Sequence, residues 1–288
     1  MRRPDRDRAV RWFDGVWKMS DGLPAIALSP DVLAGVGMFE TFGVRDGAAL
    51  DVEAHLDRLE RSAAGFEIGL CARRDLRDAV VSTAIEDRAA HGWVKLVVYR
   101  NGPTVVFGGA IDRSAHGAPC TAIVLPWVRH AAGPVVGIKS TSWAVESRGL
   151  AEAARRGVDE GIWRNQRGHL TEACTANLFL VRGRRLFTAA PRDGLLPGIT
   201  RGHALTSARS LGMTVHEGKL RRRRLEDAEE AFLTSSVRGV RPLVEVDGRP
   251  VGSGRPGPAT ARIASAVERL RVPDRTLGEA LDGAGASS

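Results

Sequence analysis

Cysteine, tyrosine and long apolar runs are scarce in this sequence of 288 residues. Cys71, Cys120 and Cys174 are its three cysteines, an odd number without CxxC spacing. That pattern provides neither a disulfide framework nor a thiolate metal site, and it fits a reducing compartment; the expectation is a cytoplasmic protein with no bound metal. No apolar run approaches about 18 residues, so no membrane-spanning helix and no membrane partner are expected. Met1 to Arg8 is charged with no apolar stretch behind it, which does not read as a signal peptide. Acidic residues are in deficit, 34 against 42 Lys and Arg, for a net charge of +8. Such an excess is compatible with nucleic acid or an acidic surface. Here the basic residues are mostly arginine interleaved with acids, tyrosine occurs once and no nucleic-acid motif is present, so no nucleic-acid partner is expected. The run Arg221 to Arg224 reads as a solvated turn before a helix starting near Leu225.

With 43% apolar residues the chain has enough for a substantial core in one large or two modest domains. Val10 to Trp17 reads as an edge strand followed by a loop to about Pro30. Gly35 to Arg45 reads as a glycine-rich entry and a strand, with Asp46-Gly47 as a hairpin turn. Val52 to Ser62 is helical, with Leu56, Leu59 and Ala63 at core spacing and Arg58 beside that stripe. Asp75 to His91 reads as a helix, and Trp93 to Arg100, Val105 to Ile111 and Cys120 to Pro126 as strands. The domains expected are residues 1–126, a linker over 127–134, a larger unit over 135–275, and a loose tail over 276–288.

Residues 137–201 carry the chemistry. Val135, Val136 and Ile138 around Gly137 read as a short buried strand with Lys139 at its exit. A lysine whose pKa falls toward neutrality on burial is a nucleophilic amine able to condense with an aldehyde; the plain alternative is a surface lysine. Gly161 to Asn165, a turn at Gln166-Arg-Gly168, and His169 to Glu172 read as a hairpin, followed by a second hairpin from Asn177 to Thr188. A carboxylate carried inward at Glu172 attracts a protonated ring nitrogen by roughly 4 kcal/mol at ~4 Å with an effective dielectric of ~20; alone it is an ordinary strand-end charge. Pro197-Gly198 then turns into a helix whose Leu205, Ala208 and Leu211 share a face and whose Gly212 ends it. The Ile199 and Thr200 amides would open that helix and offer an anion site, where an ordinary helix cap is the alternative.

Together these motifs resemble the class IV aminotransferases, the fold-type-IV enzymes dependent on pyridoxal 5′-phosphate, which include branched-chain and D-amino-acid aminotransferases and 4-amino-4-deoxychorismate lyase. The resemblance runs from about Phe13 to Ile263. "FET" at Phe39 to Thr41, the "DG" turn, and His55, Arg58, Leu59 and Ser62 appear in the family's order. It implies an α/β (α+β) fold in two domains, like D-amino-acid aminotransferase, in a homodimer. It implies that Lys139 holds the cofactor as a Schiff base and moves the proton, and that Glu172 faces the ring nitrogen. Arg58, Leu196, the Ile199 and Thr200 amides and Ser236, with Ser235 second, are implied at the cofactor phosphate and ring. Phe39, Thr41, Arg100 and Trp143 are implied at the substrate, a small amino or keto acid. Branched-chain enzymes usually carry "FEG" and a tyrosine near the place of Trp143, whereas "FET" and "TSSVRGVRP" lean toward the lyase-like or D-amino-acid branch. The expected activity is amino transfer between an amino acid or amine and a 2-keto acid. The alternatives are 4-amino-4-deoxychorismate lyase, forming 4-aminobenzoate and pyruvate, and a non-catalytic binding protein on the same fold.

Overall fold

The structure is a computed structural model that describes residues 10–13, 16–19, 30–87 and 89–277. The charged first eight residues, the loop expected over 20–29 and the tail beyond 277 fall outside that range. The described residues form two compact units, those up to 113 together with those from 272 on, and those over 114–271.

The first unit contains β1 (Val10–Phe13), β2 (Val16–Met19), α1 (Pro30–Leu33), β3 (Gly37–Arg45), β4 (Ala48–Leu50), α2 (Val52–Ala64), α3 (Arg73–Asp87), β5 (His91–Tyr99) and β6 (Thr104–Ala110). The single edge strand expected over Val10 to Trp17 is a two-stranded hairpin, in which Trp12 is opposite Trp17. Asp46 and Gly47 both have positive φ, 50° and 73°, the geometry of the two-residue turn that "DG" predicts between β3 and β4. A short strand Pro273–Asp274 returns to pair with β4. The helix expected to reach His91 stops at Asp87, and His91 instead opens β5 opposite Arg45. Sheet pairing overrides the helical pattern there, because His91 to Tyr99 finds the whole length of β3 as a partner.

The second unit contains β7 (Cys120–Arg129), α4 (Ala144–Arg155), β8 (Glu160–Asn165), β9 (Leu170–Ala173), β10 (Asn177–Arg182), β11 (Arg185–Thr188), α5 (Ile199–Ser210), β12 (Thr214–Glu217), α6 (Arg222–Glu226), β13 (Glu230–Ser235), β14 (Gly239–Val246), β15 (Arg249–Pro250) and α7 (Pro258–Leu270). Its strands run β12-β11-β10-β13-β14-β7-β8-β9, and β9 pairs again with β10. Six strands therefore close on themselves, with Asn177 opposite Glu172 at the seam. Alternation along β10 sorts its side chains: Leu178 and Leu180 join a core with Ile162, Leu170, Leu233 and Leu243, while Phe179 and Val181 pack with Ala204, Leu205, Ile263 and Val267 of α5 and α7.

Strand β7 continues to Arg129 and pairs with β8 and β14, so the segment expected as a linker over 127–134 begins inside the second unit's sheet. Val135 to Ile138 is not a buried strand. It is a run of turns with Gly137 at φ 78° and Val135 43% exposed, because the Gly133 and Val135 carbonyls are capped locally by the Val136 and Ile138 amides. The arginines from Arg222 to Arg224 belong to α6 itself rather than to a turn before it.

Candidate active site

Glu172 lies in β9, buried at the closing seam. Its Oε1 accepts from Nη1 of Arg129 at 2.9 Å. Its Oε2 accepts from Nδ2 of Asn177 and from the Leu196 amide, both at 3.1 Å. Burial pushes the carboxyl up to about 7, against the pull of Arg129, the Leu196 amide and the charge of Lys139, while Glu146 pushes it further up. Arg129 also donates from Nη2 to Oε1 of Glu146 at 2.5 Å, and its guanidinium lies 4.8 Å from the ring centre of Trp163.

The Leu196 contact ties Glu172 to the turn that starts α5. Asn177 strengthens that tie, since the same Nδ2 also donates to the Leu196 carbonyl at 2.9 Å. Gly198 caps α5 with no side-chain acceptor, and a Cβ there would come within 2.2 Å of the Asn177 Oδ1. Glycine is required by that approach. The first amides of α5, at Ile199 and Thr200, have no carbonyl within the helix to bond. Thr200 is 1% exposed and its hydroxyl has no hydrogen-bond partner. A buried orphan hydroxyl beside such helix amides is what an anion fills.

Lys139 is half-buried and follows the turn that packs on this loop: a Cβ at Gly137 would touch the Leu195 carbonyl at 3.6 Å, and one at Gly194 would meet Cα of Ala131 at 2.8 Å. Trp143 is the residue before α4, and the Ser147 amide bonds back to its carbonyl. Ser235 ends β13, where its Oγ accepts from the Arg238 amide at 3.3 Å. The Ser236 carbonyl accepts from Arg271. Thr234, one residue before Ser235, is buried opposite Asn177 with an unbonded hydroxyl.

In the first unit, Arg58 grips Glu40 side-on, Nε to Oε1 at 2.8 Å and Nη2 to Oε2 at 2.6 Å. His55 reaches the same Oε2 from Nδ1 at 2.7 Å. All three are buried. Phe39 is buried under the Lys95 ammonium at 4.2 Å, and Thr41 pairs with Lys95 across β3 and β5. Arg100 does not end the strand but opens the turn after Tyr99, where its guanidinium is paired with Asp31 at 2.9 Å.

Arg129, Glu146, Asn177 and Glu40 are the functional candidates that the sequence pattern does not single out. Glu40 sits between Phe39 and Phe42 in a strand buried on both faces, and a carboxylate in such a stretch is itself a signal. Asn177 and Arg129 have no comparable local signal, because a sheet closure brings one of them to Glu172 and the end of β7 brings the other. Among the described residues no group of His, Cys, Asp and Glu is arranged to hold a metal, and no helix is long and apolar enough to cross a membrane.

One wholly antiparallel sheet and one mixed sheet, the second closed on itself with a carboxylate at its seam and a helix N-terminus beside it, define a protein of mixed α and β structure. The profile described as "Amino-transferase class IV" matches residues 37–246, more than half of the chain. The chain belongs to the class IV amino-transferase family, a family of enzymes. The branched-chain-amino-acid aminotransferase of Salmonella typhimurium is 40% identical over 116 residues, and that match covers 40% of this chain and 38% of the relative's length. The one from Pseudomonas aeruginosa is 27% identical with 92% and 94% covered. A putative 4-amino-4-deoxychorismate lyase from Legionella pneumophila superposes with a TM-score of 0.77 at 26% identity, covering 87% of this chain and 97% of that one. A T.th. branched-chain amino acid aminotransferase solved with pyridoxamine 5′-phosphate shares the fold, with a TM-score of 0.83 at 20% identity and 91% and 94% covered.

Proposed function

We propose that the protein transfers an amino group between an amino acid or amine and a 2-keto acid, using pyridoxal 5′-phosphate held in the second unit. The observation that carries this is Glu172: a buried carboxylate fixed by three donors, tied through Leu196 to a helix N-terminus with an orphan Thr200 hydroxyl. A planar cofactor with a ring nitrogen at one end and a phosphate at the other matches that pair of features. When bound, such a cofactor withdraws electrons from the substrate carbon.

The chain's own residues do the rest. Glu172 holds the proton on the ring nitrogen. The Ile199 and Thr200 amides and the Thr200 hydroxyl receive the phosphate, joined under the family resemblance by Ser235 and Ser236. Lys139 anchors the cofactor aldehyde and moves a proton at the substrate carbon. Under the same resemblance Trp143, Phe39, Thr41 and Arg100 face the substrate. Under the resemblance Arg58 contacts the phosphate as well; its Nε and Nη2 donate to Glu40.

The second reading is 4-amino-4-deoxychorismate lyase. It is favoured by the whole-chain similarity to the Legionella protein together with "FET" at Phe39 to Thr41 and "TSS" at Thr234 to Ser236. On either reading the protein is expected in the cytoplasm as a homodimer.

The test is to add pyridoxal 5′-phosphate to the purified chain and treat it with borohydride. A visible absorbance band that bleaches, with the mass of the cofactor found on the Lys139 peptide and absent from Lys139→Ala, is the expected result. Mass on another lysine, or none, rejects it. Nitrogen transfer from amino donors to keto acids is then compared with pyruvate release from aminodeoxychorismate to separate the two reactions.

A further inference from the structure

Arg129 is one cation shared by two carboxylates. Nη1 serves Glu172 and Nη2 serves Glu146, while the Trp163 ring covers the guanidinium face. Each carboxylate oxygen has room for about two donors. On Glu172, Oε2 is filled by Asn177 and the Leu196 amide, and Oε1 holds Arg129 alone. The open acceptor position is therefore on Oε1, and Arg129 fixes the direction from which a further N–H can reach it. With both carboxylates ionised, Arg129 meets two negative charges with one positive charge, so it does not by itself neutralise Glu172.

We propose that Arg129 is a positioning residue for the cofactor ring: it holds Oε1 of Glu172, in ionised form, toward a protonated ring nitrogen, and because its charge is shared with Glu146 it leaves Glu172 only partly neutralised, so that a ring cation gains by binding there. This rests on the cofactor reading above and adds to it a residue outside the lysine, glutamate and phosphate contacts.

The test measures binding by the full chain stripped of cofactor, through quenching of tryptophan fluorescence. The ligands are pyridoxal 5′-phosphate and an analogue with carbon in place of the ring nitrogen. The wild type is expected to prefer the nitrogen-bearing ligand. Arg129→Met is expected to lose roughly 30-fold of its affinity for that ligand and little for the carbon analogue, because without the arginine the buried Glu172 carboxyl takes up a proton and no longer accepts from the ring N–H. Arg129→Lys keeps the charge without the fork and should lose several-fold, again for the nitrogen-bearing ligand only; it decides the matter if Arg129→Met does not fold. Equal losses for both ligands in either variant, or no loss, overturn the role of Arg129 while leaving the cofactor reading intact. A wild type that binds neither ligand overturns the cofactor reading and this inference with it.

Discussion

Among the carboxylates buried beside arginines, Glu40 and Glu172 are driven in opposite directions. Glu40 and Glu172 are both nearly inaccessible, so burial raises each. Glu40 nevertheless falls to about 2, because Arg58 spends two N–H groups on it and His55 adds a third contact. Glu172 rises to about 7, because Arg129 gives it one N–H and gives another to Glu146. Burial pushes His55 down, so the ring is neutral and donates, and the first cluster closes as one cation and one anion. The direction in which a buried carboxylate's pKa moves thus depends on how completely its partner's charge is spent on it.

The largest test of that contrast is Glu40→Gln, which removes the buried carboxylate charge facing Arg58. It should cost about 3–5 kcal/mol in urea unfolding at pH 7; a loss under about 1 kcal/mol would mean the pair is dispensable. The pH dependences should have opposite signs. Glu40 is lowered, so its contribution is full above its unfolded value near 4.5 and is lost as pH falls toward 2. Glu172 is raised, so its contribution is full below about 4.5 and is lost as pH rises through about 7. Without cofactor, Glu172→Gln should remove a decline on the order of 3 kcal/mol between those limits; parallel stability curves for variant and parent would contradict the raised value. Gly198→Ala comes next. It drives a methyl into the Asn177 amide and should cost about 1–3 kcal/mol by thermal unfolding, as overpacking does. The smallest effect belongs to Arg73, which meets Glu53, Asp57 and Glu60 on an exposed face. Arg73→Ala should cost under about 1 kcal/mol, and a larger loss would show that exposed networks here rival the buried ones.

Much of the fold is legible in the sequence because it rests on local rules. The Asp46-Gly47 turn, the hairpins from Gly161 to Thr188 and helix α5 with Gly212 behind it follow from turn chemistry, alternation and helical spacing. The misreadings share a cause. His91 has the look of a helix end, and Val135 to Ile138 the look of a strand, until pairing partners are counted: β3 is there for the first and no strand is there for the second. Helix α4 gives little sequence signal, since its Ala, Glu and Arg run packs on β7 and β8 through few large apolar side chains.

The sequence by itself determined the family's ordered motifs, and with them Lys139, Glu172 and the Gly198 to Thr200 step, because each is fixed by residue type and short spacing. Only the tertiary structure decided what surrounds Glu172. Arg129, Glu146, Asn177 and Leu196 lie 43, 26, 5 and 24 residues from it in the chain. They meet there because six strands close at one seam, β7 ends beside it and the turn before α5 folds over it, and no local pattern encodes a closure of that range.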